Sequence, residues 1–445
     1  MDNAQHSSLS EISSMQAVEI ANLISKTSSE NQQEIFKQLR PPLAVRVFEY
    51  LPRNVQKSII CSLEPEKAAV ILQEMSPDDR TAFLEELPKG TTSELLKLMS
   101  EEKRKLTLTL LGYPKNTVGR LMTTDYIAVK LDWTVQQVLD YVRKNGRDSE
   151  TINVIYVIDD HGKLIDDIRI KEFLFAALDA KVKDLADYKF VALSVNDVDD
   201  QAIKVFLDYD RVALPVVDNQ GILIGIVTVD DVLDLMTEQA TEDIQKIGGT
   251  AALEGPYLQT PFLDLIKKRA GWLVLLFIGE MFTATALGYF EGEIAKAVVL
   301  VLFLPLIISS GGNSGSQAST LIIRALAIGE LTLQDWWKVM RREVFSGIFL
   351  GVILGVIGMM RISLWSAFSD IYGPHWLLVA VTVFFALIGV VLWGSLSGAM
   401  LPLILKKMKL DPAVASAPLV ATLVDVTGII IYFITASFIL RGTLL

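Results

Sequence analysis

The apolar residues of this chain are distributed in two different ways along its length. In the second half they form five long stretches, at roughly residues 271–290, 294–323, 344–367, 376–404 and 413–440. Each stretch provides the roughly 20 residues that a helix needs to cross the hydrocarbon core of a bilayer. A buried soluble core is the alternative, but five such runs in succession favour membrane spans. The pattern therefore predicts an all-α transmembrane domain of five helices over residues 253–445.

Short helical segments punctuated by proline come earlier, in residues 30–116. The prolines at 52, 65, 77 and 88 recur every eleven to thirteen residues. Proline suits the first turn of a helix, where its missing N–H costs no hydrogen bond. Alanine, leucine and isoleucine recur between the prolines at helical spacing, which predicts an α-helical solenoid. Residues 1–29 are a polar N-terminal segment without the basic and apolar regions of a signal peptide.

A strand-turn-strand pattern occurs twice between residues 117 and 248. The two apolar runs of each copy lie at 152–158 and 164–170, and at 212–217 and 222–228. The second pattern begins about 60 residues after the first, and helical patterns precede and follow each hairpin. The sequence therefore predicts a duplicated α/β module, with its first copy over 117–186 and the core of its second copy over 187–229.

Residues 230–252 form an acidic segment that leads from the α/β module towards the first span. Asp231, Asp234, Glu238 and Glu242 are three and four residues apart, so they lie along one face of a helix, where like charges repel. An ordinary solvated helix is the alternative, although lysine and arginine are nearly absent from the segment. If divalent ions bridge this face to acids of the α/β module, closure becomes ion-dependent, which is a two-state regulatory device.

The net charge of −11 is divided unevenly along the chain. From residue 262 onward thirteen basic residues outnumber ten acidic ones, so all of the net negative charge lies in the first part. Such a surface argues against a nucleic-acid partner and suits cations. Because Cys61 is the only cysteine, no intrachain disulfide points to an oxidising compartment.

Basic residues lie in alternate loops between the apolar stretches. They cluster at 267–269 before the first span, at 338–342 between the second and third, and at 406–409 between the fourth and fifth. By the positive-inside rule, the N-terminal region is cytoplasmic and the short C-terminus lies outside. We therefore expect a multi-pass protein of the cell (inner) membrane.

The second span carries a run of small and polar residues, from Pro305 to Thr320. Polar groups at membrane depth need protein or water as partners, so this run does not face lipid. Asn313 and Gln317 share one helical face, and Gly315 lets backbones approach closely. The run is a candidate pore lining, and a polar packing seam between helices is the alternative.

A carboxylate, Asp425, lies in the middle of the fifth span. A charged group at this depth is costly and normally faces a cavity or a partner. Thr422 and Gly428 share its helical face, so the stripe is small enough to line a pore. An ion pair of Asp425 with Arg361 or Arg324 is the alternative.

The chemistry of these candidates suits magnesium better than a softer metal. Mg²⁺ sheds its water reluctantly and is usually held by one or two carboxylates with several waters retained. Two copies of Asp425 on a two-fold axis would attract such an ion without trapping it. Zinc or copper is disfavoured because Cys61 and the three histidines are scattered along the chain. No catalytic nucleophile, triad or phosphate loop stands out, so we do not expect an enzyme.

The second copy of the α/β module, with ALPVVD at 213–218 and GIVT at 225–228, resembles a CBS domain, and the pair resembles a tandem CBS module. CBS pairs often bind adenine nucleotides such as ATP, with Thr or Ser three residues before an Asp at the sugar. Thr228 and Asp231 match this pattern. The first copy departs from it at the equivalent positions, so the resemblance implies at most one nucleotide site.

All segments together resemble the MgtE family of magnesium channels/transporters. The motifs that carry this resemblance are GGNSGSQ at 311–317, LIIRALA at 321–327, VDDVLD at 229–234, ATEDIQ at 240–245 and ATLVDVTG at 421–428. The resemblance implies magnesium transport by a homodimer with its pore on the dimer axis. It also implies gating by magnesium that binds to the cytosolic region.

The resemblance further implies roles for single residues. Asp425 is the central carboxylate of the pore. The acids that would bind regulatory magnesium are Asp200, Asp210, Asp231, Asp234, Glu242 and Asp243. The N-terminal helical domain offers the acids Asp78, Asp79, Glu101 and Glu102. A membrane-anchored CBS nucleotide sensor without transport is the alternative function, and the polar interior of the spans argues against it.

Overall fold

The computed structural model describes residues 15–253 and 257–445 of this chain. By its internal contacts the chain divides into two compact units, with the division between Glu238 and Gln239. The first unit contains a helical region and the α/β module, and the second contains the long apolar helices. The two units are described separately below.

Eight short helices form the N-terminal region. They are α1 (Ala17–Ser25), α2 (Ser29–Lys37), α3 (Pro41–Glu49), α4 (Arg53–Ser62), α5 (Pro65–Glu74), α6 (Pro77–Glu85), α7 (Lys89–Leu98) and α8 (Glu101–Leu111). Proline stands in the first turn of α3, α5 and α6, as the spacing of prolines predicted. Helices pack on the helix two places along the chain, for example α1 on α3 and α6 on α8, which gives the predicted solenoid.

The solenoid begins earlier than the sequence pattern indicated. Helix α1 lies within residues 1–29, which we read as a polar segment, and it buries Ala17, Ile20, Ala21 and Ile24. These positions follow the i, i+3, i+4, i+7 spacing of an amphipathic helix. The helix is short and polar residues surround it, so its apolar stripe was overlooked.

The α/β module contains two three-stranded sheets of the same topology. Its elements are α9 (Val118–Leu121), β1 (Ala128–Lys130), α10 (Val135–Asn145), β2 (Val154–Ile158), β3 (Leu164–Arg169), α11 (Ile170–Phe175), α12 (Val182–Leu185), β4 (Leu193–Ser194), α13 (Asp199–Tyr209), β5 (Ala213–Val217) and β6 (Leu223–Thr228). Both predicted hairpins, β2–β3 and β5–β6, are antiparallel, and each gains a parallel strand, β1 or β4, that the pattern did not indicate. A bridge between Lys163 and Ile222 joins the two hairpin turns.

Helix α14 (Val229–Ile247) follows β6 directly. Its first part belongs to the first unit, where Val232 is buried in the core of the second copy. Its last turns belong to the second unit. The acidic segment of the sequence is therefore helical from residue 229 to residue 247.

Among the described residues of the second unit, five helical segments are long and apolar enough to cross a membrane: Phe262–Tyr289, Val298–Ala327, Leu333–Ser366, Trp376–Lys407 and Ala417–Ile439. Their α-helices are α15 (Phe262–Tyr289), α17 (Leu304–Ala327), α18 (Trp336–Ser366), α19 (Trp376–Lys407) and α20 (Ala417–Ile439), and the short α16 (Glu291–Lys296) follows α15. Helices α17, α19 and α20 pack on one another, α18 packs on α19, and α15 packs on α20. The five predicted spans are confirmed.

Glycines bring the membrane helices into close contact. A Cβ atom at Gly394 or Gly398 of α19 would overlap the carbonyl oxygen of Gly311 or Gly315 of α17, respectively. Likewise, a Cβ atom at Gly351 of α18 would lie 2.6 Å from the Cα atom of Ile388 of α19. Small residues permit such approach where apolar burial does not drive helices together.

Candidate functional site

The polar run of the second span divides between two faces of α17. On the inner face, the Ser314 hydroxyl lies 2.7 Å from that of Ser395 in α19, and Ser319 donates to the carbonyl of Ala415 at 2.6 Å. Gly315 is also on this face, against Gly394 and Val420, so it serves the packing of helices within one chain. This half of the run is the polar packing seam that the sequence left open as an alternative.

The other face of α17 is polar and exposed. Asn313 and Gln317, both pore-lining candidates, are exposed there, together with Ser309 and Thr320. Asn313 donates to the Ser309 hydroxyl at 3.4 Å. Hydrocarbon provides no partner for such groups, so this face requires protein or water.

Asp425 is half-buried on α20, near the first span. Its carboxyl group interacts with that of Glu280 on α15. The two helices approach closely at this level, because a Cβ atom at Gly279 would lie 2.8 Å from Thr422 Cγ2. Thr422 is half-buried one turn before Asp425, whereas Gly428 is buried against Val390 of α19. The structure therefore places two intramembrane carboxyl groups together.

The alternative partners of Asp425 are engaged elsewhere or exposed. Arg361 donates to the Tyr372 hydroxyl at 3.1 Å, and its guanidinium lies 4.2 Å from the centre of the Trp365 ring. Arg324 is exposed on α17. The structure thus gives no support to a structural ion pair at Asp425.

A second group of acids lies where the solenoid meets the start of α14. Asp231 accepts a hydrogen bond from the Thr228 hydroxyl at 2.5 Å, and its carboxyl group shares a further hydrogen bond with Asp78 of α6. Asp78 is buried, and its Oδ1 atom has no hydrogen-bond partner. Burial and the neighbouring Asp231 raise the pKa of Asp78 well above its usual range, and burial raises the pKa of Asp231 to about 6. The pair therefore holds a proton on Asp78.

Further acids surround this pair. Burial and the neighbouring Asp79 raise the pKa of Glu49 to about 7, and burial together with Asp78 and Asp230 raises that of Glu150 to about 7. We call Glu49, Asp78, Asp79, Glu150, Asp230 and Asp231 the acidic cluster. Ionisation of its members Glu49, Asp78, Asp79, Glu150 and Asp231 is costly without a counter-ion, because their pKa values are raised.

The sequence alone identified only part of this cluster. Asp78, Asp79 and Asp231 were named as candidates, whereas Glu49 and Glu150 belong to no acidic run and were missed. Their distance from Asp231 along the chain, more than 80 residues in each case, hides the relation. Only the packing of the solenoid against the α/β module brings them together.

The remaining regulatory candidates are spread over several elements. Asp200 lies in the first turn of α13, and Asp210 ends that helix in a left-handed conformation with φ of 48°. Asp234 is exposed on α14, and Glu242 and Asp243 are half-buried in its last turns. The described residues contain no group of three or more His, Cys, Asp or Glu side chains arranged to hold a metal ion.

The two copies of the α/β module differ at their nucleotide positions. In the second copy, Thr228 and Asp231 are hydrogen-bonded to each other, and Asp231 is also hydrogen-bonded to Asp78. Between the two copies, a cleft of about 360 Å³ is lined by Asn153, Val154, Arg169, Ile170 and Lys171 of the first copy and by Asp210, Arg211 and Val212 of the second. Arg211 is held by the buried Asp167, whose Oδ2 atom lies 3.2 Å from the arginine Nη1 atom. The cleft is basic because its lining carries Arg169, Lys171 and Arg211 against the single acid Asp210.

The fold and these sites define a class of protein. The chain is a multi-pass membrane protein whose spans contain polar and acidic groups, linked to a helical solenoid and a duplicated α/β module. Family models agree with each part: a divalent cation transporter domain matches residues 304–435, the MgtE intracellular N domain matches 15–116, and CBS domains match 118–179 and 182–238.

Comparison with known proteins identifies the family. The chain is 32% identical to the magnesium transporter MgtE of Thermus thermophilus, over 96% of this chain and 99% of that protein. It is 28% identical to the magnesium transporter MgtE of Bacillus subtilis, over 87% and 84% of the two chains. This chain belongs to the MgtE family.

One solved structure in these comparisons is the cytosolic domain of the Mg²⁺ channel MgtE in complex with ATP. It is 30% identical, covers 50% of this chain and 92% of its own, and has a TM-score of 0.48.

Proposed function

We propose that this protein transports Mg²⁺ across the cell membrane and that Asp425 is the central carboxylate of its pathway. The observation that carries the proposal is the pairing of Asp425 with Glu280 within the spans, beside a small half-buried threonine. Two neighbouring carboxyl groups attract a divalent cation strongly, and Mg²⁺ accepts one or two carboxylates with several waters. Membrane acids of this kind usually mark an ion pathway.

The pathway forms between two copies of the chain. The exposed polar face of α17, with Asn313 and Gln317, needs a covering that lipid does not provide. A second copy related by a two-fold axis would cover it and bring two Asp425 carboxylates to one channel. In this homodimer the amide groups of Asn313 and Gln317 contact the outer water shell of the ion, and Thr422 lines the path beside Asp425.

Magnesium also regulates the pathway. A bound divalent ion displaces the protons held by the acidic cluster and neutralises the carboxylates of the cluster and of α14. We assign Asp231 and Asp234 to sites near the solenoid, Asp200 and Asp210 to sites on the second copy, and Glu242 and Asp243 to the last turns of α14. When magnesium is scarce, repulsion among these carboxylates favours a different position of α14, and the pathway opens.

An adenine nucleotide such as ATP is a second regulatory ligand, bound to the CBS module. The basic cleft between the two copies fits a phosphate chain better than Thr228 and Asp231 do, because Asp231 is already hydrogen-bonded to Asp78. Arg211 is preorganised by its pair with Asp167, which reduces the entropy lost when it binds an anion. The N-terminal region lies on the cytoplasmic side, where both magnesium and nucleotides are present.

Replacing Asp425 by Asn tests the pore. We expect Asp425→Asn to lose most Mg²⁺ uptake, by about tenfold or more, because the amide keeps the volume but removes the charge that attracts the ion. Uptake into proteoliposomes is followed with a magnesium-sensitive dye. Asp264→Asn is the matched control, since Asp264 is exposed in the first turn of α15.

Two results would contradict the proposal. Undiminished uptake by Asp425→Asn would remove this residue from the pathway. Failure of the wild-type protein to pass any divalent ion would favour the alternative of a membrane-anchored CBS nucleotide sensor.

A further inference from the structure

The last turn of α14 is attached to the start of α20 by several independent contacts. The Lys246 ammonium lies 2.6 Å from Asp411 Oδ2 and 2.6 Å from Glu242 Oε1. Asp411 stands before the short 3₁₀ helix Pro412–Val414, and its Oδ1 atom accepts a hydrogen bond from the backbone N–H of Ala413 at 2.8 Å. One lysine thus joins α14 to the segment that leads into α20.

Contacts of the residues that follow the lysine reinforce this attachment. Ile247 packs against a small cluster that includes the buried Ala413 and Ala415. Gly249 has φ of +71°, and a Cβ atom there would lie 2.6 Å from the indole nitrogen of Trp272 and 3.2 Å from Pro418. We call the contacts of Lys246, Ile247 and Gly249 with residues 411–418 and Trp272 the joint.

The joint lies about two helical turns from the candidate pore residue along α20. Pro418 is in the first turn of α20, seven residues before Asp425, which is about two helical turns. Ser316 and Ser319 of α17 donate to the carbonyls of Ala417 and Ala415, at 3.2 and 2.6 Å. A displacement of the joint therefore moves both the start of α20 and its contact with the polar run.

Lys246 has two carboxylate partners, and one of them is a regulatory candidate. Glu242 precedes Lys246 by one helical turn and shares its ammonium with Asp411. A divalent ion on Glu242 would repel the ammonium and compete for the carboxylate, because like charges at this distance repel. Lys246 would then pair with Asp411 alone. Binding of a divalent ion to Glu242 would therefore change the ion pairs of Lys246 at the joint.

We propose that Lys246 is a positioning residue that couples magnesium bound on α14 to the position of α20, through its ion pair with Asp411. This inference rests on the proposed magnesium transport and gating. The lysine itself binds no transported ion.

The test compares Lys246→Gln, Asp411→Asn and the double variant in the full-length protein. Mg²⁺ conductance is measured in excised membrane patches while magnesium at the face that bears the N-terminal region is titrated. A second assay measures magnesium-dependent protection of residues 230–250 against protease in the same preparations. Lys338→Gln is the control, since it breaks an exposed pair with Asp335, 2.8 Å long, that has no contact with the joint.

We expect each single variant to need roughly threefold or more magnesium for half-closure, as for the loss of one partly exposed ion pair. Protease protection should still develop with magnesium in both variants, because the carboxylates remain, and its midpoint should not rise in Lys246→Gln, because the ammonium that competes for Glu242 is gone. The double variant should be no worse than either single one, since both remove the same interaction. The Lys246→Arg protein should close at the same magnesium concentration as the wild type. The Asp411→Asn variant retains a side-chain oxygen that accepts the hydrogen bond from the Ala413 N–H.

Other outcomes would overturn the inference. Closure midpoints of Lys246→Gln and Asp411→Asn equal to that of Lys338→Gln would show that the ion pair carries no coupling. Loss of protease protection together with closure would make Lys246 part of the metal site or of its folding. A wild-type protein that conducts Mg²⁺ but ignores it at the N-terminal side would overturn the proposed gating as well.

Discussion

The carboxyl groups of this protein lie in very different surroundings. Asp425 and Glu280 interact with each other within the spans, whereas Asp78 and Asp231 share a proton where the solenoid meets α14. By contrast, Asp160 is exposed and lies 3.3 Å from the Lys130 ammonium. A carboxyl group that is buried beside another is the kind of group that a divalent cation stabilises most.

The acidic cluster predicts a pH dependence of stability without divalent ions. The raised pKa values of Glu49 and Glu150 mean that the folded protein binds more protons than the unfolded chain between about pH 4, the unfolded pKa, and the folded value near 7. Stability conferred below the unfolded pKa is therefore lost as the pH rises through this window. We expect the apparent Tm of the purified protein to fall from pH 5 to pH 8 in EDTA, and magnesium to reverse the fall.

Asp78→Asn should reduce this pH dependence, by on the order of 1 kcal/mol across the window, because the amide cannot ionise beside Asp231. Asp160→Asn, at an exposed position on the β2–β3 turn, is the matched control. Thermal unfolding followed by intrinsic fluorescence measures both. An Asp78→Asn profile as steep as that of the control would show that the Asp78–Asp231 pair does not carry the dependence.

At the scale of elements, the membrane unit depends on close contact of helix backbones. Gly311 and Gly315 of α17 face Gly394 and Gly398 of α19, and hydroxyl groups on the same face bond across the contact. Apolar side chains alone would gain little from this contact, since lipid is equally apolar. Glycine at these positions is therefore needed for the close contact of α17 with α19.

Gly398→Ala should destabilise the solubilised protein by about 1–3 kcal/mol, because the new methyl group overlaps the Gly315 carbonyl and forces the helices apart. Gly288→Ala on α15 is the control, since no atom lies within 4 Å of a Cβ built there, and alanine favours a helix. Thermal stability in detergent compares them. Equal stability of the two variants would contradict the packing role of Gly398.

The sequence anticipated most elements because each has a local signal. Proline spacing marked the solenoid helices, and β-branched runs marked β2, β3, β5 and β6. The two- and three-residue strands β4 and β1 were not anticipated, because they are too short to show alternation and form only by pairing with β5 and β2. Helix α1 was not anticipated because it is short and polar residues surround its apolar stripe.

At the scale of the whole molecule, the exposed polar face of α17 implies a second copy. A cysteine at Gln317, in a background with Cys61 replaced by Ser, should cross-link two chains in membranes. A cysteine at Phe349, exposed on the apolar surface of α18, should not. Denaturing gels after oxidation or bis-maleimide treatment measure the dimer, and equal cross-linking at both positions would place the axis elsewhere.

Local chemistry in the sequence determined the kind of protein: five spans, a duplicated α/β module, an acidic connecting helix, and single polar groups too costly for lipid. Which groups meet was decided by tertiary structure. The pairs Asp425–Glu280, Asp78–Asp231 and Lys246–Asp411 join residues more than 140 positions apart. Hydrophobic period and charge spacing act over one or two turns, whereas these contacts arise only when whole helices pack, so no window of sequence contains them.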